Sequence, residues 1–211
     1  MPKSVQPEAV HIEGPVGALE AMLEVPESTV RGVAVVCHPH PQHGGAMTNK
    51  VTHTLARAMN LRSFAALRFN FRGVGESVGD YAEGEGEVDD VLAAARGLQD
   101  RFPGHPLMLA GFSFGAAMAL RAAVSLAPAG LVLVAPPVGR ILDADETLPE
   151  HMPTVIVQGG QDDVVSPQAV LDWVNAQAAP LELIWFEEAG HFFHGALVEV
   201  RERLLAVLEA Q

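Results

Sequence analysis

The sequence predicts an α/β protein: a mostly parallel central sheet with helices on both faces. Three observations carry this. Short continuous apolar runs, of the kind that strands buried on both faces need, recur along the chain. Stretches with apolar residues at helical spacing lie between them. Strand and helix then alternate in a regular order, the pattern of parallel strands joined by crossover helices. With 211 residues, 49% of them apolar, the chain is large enough for one sizeable core and too short for two full domains with an insertion. Residues 1–211 are therefore expected to form one domain, with 1–8 an extended N-terminal segment.

The elements follow in order. "GALEAMLEVP" (17–26) alternates polar and apolar residues, as a half-exposed early strand does. "RGVAVVCHP" (31–39) is a continuous apolar run, and its Cys37, the only cysteine, reads as a small buried strand residue that cannot form an internal disulfide. "TNKVTHTLARAMN" (48–60) puts Val51, Leu55, Ala58 and Met59 on one helical face, with Thr48 as the expected N-cap. "SFAALRFNF" (63–71) is strand-like. "GEVDDVLAAARGLQDRF" (86–102) has an acidic first turn and places Val88, Val91, Leu92, Ala95 and Leu98 on one face. "PLMLAGF" and "GLVLVAPP" read as core strands around an alanine-rich helix at 114–127. "TVIVQGG" is a strand. "SPQAVLDWVNAQ" starts a helix with Ser166 as N-cap and Pro167 at the first helical position. "LELIWFE" is a strand. "GALVEVRERLLAVLEA" closes the chain as a helix, with Leu197, Val200, Leu204 and Leu208 facing inwards.

In sheets of this kind ligands bind beyond the carboxyl ends of the strands. The loops there are rich in reactive side chains: "HPHPQHGG" with His38, His40 and His43; "FRGVGES" with Arg72; "GFSFG" with Ser113; "QDDVVSP" with Asp162 and Asp163; and "GHFFHG" with His191 and His194. Serine, acid and histidine thus stand at three different strand ends. Ser113 has two readings. It is a helix cap in a tight turn, or it is a nucleophile held on a sharp elbow between Gly111 and Gly115, where Cβ atoms have no room. A serine hydroxyl needs a base to take its proton, and the base works best with a carboxylate fixing its tautomer. Only the second reading explains the acid and the histidine in the two downstream loops. It also places the Phe114 N–H near developing negative charge at a helix start.

On "GFSFG", "QGGQDDVVSP", "AGHFFHG", "CHPHP" and "NFRGVGES", the chain resembles the α/β-hydrolase superfamily, and it looks most like the small bacterial serine hydrolases that lack a cap. The match covers essentially everything after residue 10. The resemblance implies an α/β-hydrolase fold with no cap domain, a Ser113–Asp162–His191 triad, and an oxyanion hole made by the Phe114 N–H and an N–H from the loop after "VAVVC". Many relatives have His-Gly in that loop; here Pro39 replaces the glycine. His40 follows it, and between Pro39 and Pro41 it alone has an N–H to give. In the acid loop the family pattern, counted from Gly159, falls on Asp162 and leaves Asp163 as a solvated loop acid.

Other residues have two readings each. The His38, His40 and His43 cluster is either a metal site or an oxyanion loop and site wall, and the prolines and the lack of nearby cysteine or carboxylate favour the latter. Arg72 either meets a substrate carboxylate or phosphate or braces its loop through backbone carbonyls. His43 is a candidate substrate contact. His194 reads as a helix-start or site-wall residue.

The net charge of −13 disfavours nucleic acid and anionic membranes as partners. "MPKSVQPEAV" lacks the apolar stretch of a signal peptide, and no run is long enough to span a bilayer, so a soluble cytoplasmic protein is expected. The expected activity is hydrolysis of small or short-acyl carboxylic esters through an acyl-enzyme, with no cofactor and no metal. The alternatives are a thioesterase or small peptidase with the same triad, or a non-catalytic binding protein on the same fold. Oligomeric state is not legible.

Overall fold

The computed structural model describes residues 6–210. Eight strands form one sheet: β1 (Glu8–Gly14), β2 (Gly17–Glu24), β3 (Gly32–Cys37), β4 (Phe64–Phe69), β5 (Leu107–Phe112), β6 (Gly130–Val134), β7 (Thr154–Gly159) and β8 (Leu181–Phe186). Five α-helices connect them: α1 (Lys50–Leu61), α2 (Glu85–Arg101), α3 (Phe114–Leu126), α4 (Pro167–Ala176) and α5 (Leu197–Ala210). The strand order is β1-β2-β4-β3-β5-β6-β7-β8. β1 and β2 pair antiparallel, as do β2 and β4, and every pairing from β4 through β8 is parallel.

The central strands are apolar throughout because both of their faces are covered. Along β3, Val33, Val35 and Cys37 point into one core, and Ala34 and Val36 into the other. β5 does the same with Leu107 and Leu109 against Met108, Ala110 and Phe112. The first core is closed by α2, α3 and α4, the second by α1 and α5. In α5, Val200 and Leu204 are fully buried and Leu197 and Leu208 pack beside them, as the spacing predicts.

Some expectations shift. The N-cap of α1 is Asn49, not Thr48: its Oδ1 accepts from the Val51 and Thr52 N–H groups. Ser166 caps α4 as expected, accepting from the Ala169 N–H, with Pro167 first in the helix. Most of the expected extended segment, residues 1–5, lies outside the described residues. From Glu8 the chain already forms β1, a strand the sequence reading missed because its residues are mostly exposed on both sides.

The strand order reverses at β3, with β4 on one side and β5 on the other. The loops leaving β3 and β5 therefore diverge, and the crevice between them is where such sheets bind ligands. Between β6 and β7, residues 135–153 contain no helix, only turns and one isolated bridge between Val138 and Leu142. No cap stands over the carboxyl edge.

Candidate active site

Ser113 sits in the single-residue turn between β5 and α3. Its backbone has φ 54° and ψ −120°, a conformation that L-residues rarely adopt and that strains the chain by about 1–3 kcal/mol. Two glycines make the turn possible. A Cβ on Gly111 would run into the backbone of Gly115, and one on Gly115 into the carbonyls of Cys37 and His38. Ser113 occupies the N-cap position of α3, yet its side chain makes no capping hydrogen bond. Its Oγ lies 3.1 Å from His191 Nε2 instead. The geometry thus decides against the cap reading.

His191 follows β8 in a short loop. Its Nδ1 lies 2.8 Å from Asp162 Oδ2. A carboxylate can only accept, so Nδ1 carries the proton and Nε2 is left to accept from the Ser113 hydroxyl. Phe112 and Phe192 flank the ring, with centroids 5.0 and 5.1 Å away. Asp162 follows β7, and its Oδ1 accepts from the Val164 and Val165 N–H groups at 2.8 and 2.7 Å. Burial pushes its carboxyl up. The hydrogen bond from His191, with the N–H groups of Val165 and Val164, outweighs burial and holds it below the usual carboxylate range. Gln158, buried at the end of β7, adds an Nε2–H to Asp162 Oδ2 at 3.2 Å. The sequence reading passed over Gln158; its signal was an amide inside an otherwise apolar strand.

The loop after β3 forms the opposite wall. His38 is fully buried and engages both ring nitrogens: Phe71 N–H donates to Nε2 at 3.0 Å, so Nδ1 carries the proton and donates to Pro39 O at 2.6 Å. Burial pushes the ring down to about 4, against the raising effect of the Pro39 carbonyl. No nitrogen of His38 is left for a metal. The Pro39 carbonyl and the His40 N–H belong to one peptide unit, so the His38 bond to the carbonyl also sets the direction of that N–H. Among the described residues, neither the His40 nor the Phe114 N–H has a protein acceptor. The His40 ring is held by the Gln42 N–H on Nδ1 and by Tyr81 Oη, 3.3 Å from Nε2.

A cavity of about 560 Å³ opens over Ser113 and His191. His40, His43 and Asn49 line one side, and Arg140, Ile141, Asp163, Val164 and Phe192 the other. His43 thus lines the cavity. His194 lies in the turn that leads into α5, the helix-start position, and lines a separate surface groove beside Trp185 rather than this cavity. Arg72 is a correction. It lies outside the cavity, and its guanidinium binds the buried Asp90 rather than substrate or backbone carbonyls, with Nη2 2.7 Å from Oδ1. The Asp90 carboxylate is fully buried and needs a cation, and Arg72 is the one beside it.

Known proteins share this architecture. Residues 29–149 match the family model described as serine aminopeptidase, S33. The chain belongs to the lidless α/β-hydrolases. An α/β serine hydrolase without a lid from Xanthomonas campestris is 38% identical, with a TM-score of 0.92 over 100% of this chain and 97% of that one. An α/β serine hydrolase homologue from Coxiella burnetii is 41% identical, with a TM-score of 0.90 over 98% of this chain and 100% of that one. An uncharacterized protein of Rickettsia prowazekii is 36% identical over 79% of this chain and 71% of its own length. As a lidless α/β-hydrolase, the chain keeps its site open to solvent. Among the described residues, no helix is long and apolar enough to cross a membrane.

Proposed function

We propose that this hydrolase cleaves carboxylic esters of small or short-acyl substrates, with Ser113 as nucleophile, His191 as base and acid, and Asp162 as the carboxylate that orients His191. The observation that carries the reading is the continuous hydrogen-bonded chain from Ser113 Oγ through His191 to Asp162 at the floor of an open cavity.

The chemistry follows from the tautomer. Ser113 Oγ attacks the carbonyl carbon as its proton passes to His191 Nε2, and the carbonyl π pair moves onto oxygen. The unpaired N–H groups of His40 and Phe114 receive that oxyanion. The C–O bond to the alcohol breaks, and the leaving oxygen takes the proton from Nε2. Water then repeats the sequence on the acyl-enzyme and releases the acid. The absence of a lid limits the apolar surface available to a long chain, which favours short acyl groups. No step calls for a cofactor.

A peptidase reading is favoured by the description of the matching family model and by the Asp163 carboxylate at the cavity wall, a group able to meet an ammonium. Matched ester, thioester and amide substrates separate the readings. Faster turnover of short-chain esters, abolished in Ser113→Ala, is expected. Amides cleaved faster than esters of the same acid would transfer the site to peptidase chemistry. Failure of a fluorophosphonate probe to label Ser113 would leave only a binding role.

A further inference from the structure

We propose that the substrate carries an anionic group, a carboxylate or phosphate, and that Arg140 anchors it at the mouth of the cavity. This rests on the ester-hydrolase reading and names the substrate class of that same site.

Six arginines lie within ion-pair distance of a carboxylate among the described residues: Arg62, Arg68, Arg72, Arg101, Arg121 and Arg203. Arg140 does not. Among the described residues Arg31, Arg57, Arg96 and Arg201 share that lack of a carboxylate, so it is position that sets Arg140 apart. This one lines the cavity that holds Ser113 and His191.

Arg140 is also held in place. It sits at the tip of a turn after β6, with its own N–H donating to Pro137 O and the Gly139 N–H donating to Leu142 O. Gly139 takes φ 75° there with open space around it. The Arg140 Nη1–H donates to Val164 O at 2.9 Å, across to the loop that carries Asp162. That single bond fixes the guanidinium between two loops and leaves its other N–H donors free. A planar fork of this kind matches a carboxylate or phosphate.

The cavity holds a second free donor. Asn49 lines the same cavity with its Oδ1 already engaged by two backbone N–H groups, so its amide NH₂ is the free end. The Asp163 carboxylate is an opposing charge in the same cavity, and among the described residues it forms no ion pair with Arg140. It weakens anion binding without cancelling it, which makes it a graded control. Arg140 is exposed, so the effect is modest and salt-sensitive.

The test compares kcat/KM for matched pairs that differ in one anionic group. In the acyl arm, p-nitrophenyl butyrate is set against mono-p-nitrophenyl glutarate. In the alcohol arm, phenyl butyrate is set against the butyrate esters of 4-hydroxybenzoate and of 4-hydroxyphenyl phosphate. The reading is the anionic-to-neutral ratio. It should fall roughly 3- to 10-fold in Arg140→Gln in at least one arm, fall further in Arg140→Glu, rise in Asp163→Asn, and shrink at high salt. The responding arm tells which side of the ester carries the anion, and whether it is carboxylate or phosphate. A ratio unchanged by Arg140→Gln in every arm would overturn the proposal. If wild type turns over no ester yet a fluorophosphonate labels Ser113, the ester reading fails by itself. Protection of Ser113 from that probe by glutarate or glycerol phosphate, lost in Arg140→Gln, would then uphold the anion site; protection that is absent or equal in both would overturn it.

Discussion

Asp162 and Asp163 are neighbours in sequence and occupy opposite environments. The Asp162 side chain is wholly buried, 2.8 Å from His191 Nδ1, whereas Asp163 is exposed on the cavity wall. Asp162→Asn is expected to lower turnover by roughly 10⁴-fold, because the amide no longer fixes the histidine tautomer. Asp163→Asn should cost less than about tenfold in turnover of neutral esters. Steady-state kinetics of the two folded variants checks this, and the reverse ranking would move the acid to Asp163.

Ser113→Ala should reduce turnover by on the order of 10⁶-fold and abolish probe labelling while the protein stays folded. Ser113→Gly should be equally inactive but more stable than the alanine variant by about 1 kcal/mol or more, since only glycine adopts φ 54°, ψ −120° without strain. Thermal melts of the two inactive variants measure the difference.

His38 makes stability depend on pH. Its folded value of about 4 lies below the ordinary 6.5, so the unfolded chain takes up a proton first as pH falls. The contribution is fully present above pH 6.5 and is lost between there and about 4, on the order of 3 kcal/mol in all. Melting at pH 7 and pH 5 should show the slope, and His38→Asn should flatten it. The asparagine amide can still donate to Pro39 O, so this variant should keep more kcat than His38→Leu, which leaves the Pro39–His40 peptide unsupported. Equal kcat in the two would separate His38 from the oxyanion loop.

Arg72→Met should destabilise the fold by about 3–5 kcal/mol, because it leaves the Asp90 carboxylate buried without a cation. Denaturant unfolding measures this. A raised KM with unchanged stability would instead return Arg72 to substrate binding.

Much of the architecture was legible because it rests on periodicity. A strand covered on both faces has to be apolar at every position, as β3, β5 and β6 are, and a helix on a sheet has to repeat its apolar residues at turn spacing, as α2 and α5 do. β1 escaped because an edge strand with mostly exposed side chains carries no such signature. At the site, Ser113, Asp162 and His191 were marked by the glycines and loops around them. Arg140 and Tyr81 were not marked, because each reaches the cavity or its wall from a loop whose position depends on the folded chain. Arg72 was misread for a related reason: its partner Asp90 is 18 residues away, on α2, and nothing local announces the pair.

The bare stretch between β6 and β7 also bears on what becomes of the acyl-enzyme. With no helical cap over the mouth, the proposed turnover is expected to follow the chemistry rather than a cap's closure. In the proposed mechanism, solvent can then reach the acyl group once the alcohol has left. On the proposed ester reaction, an open mouth lets water compete with any second alcohol for the acyl group, which favours hydrolysis over acyl transfer.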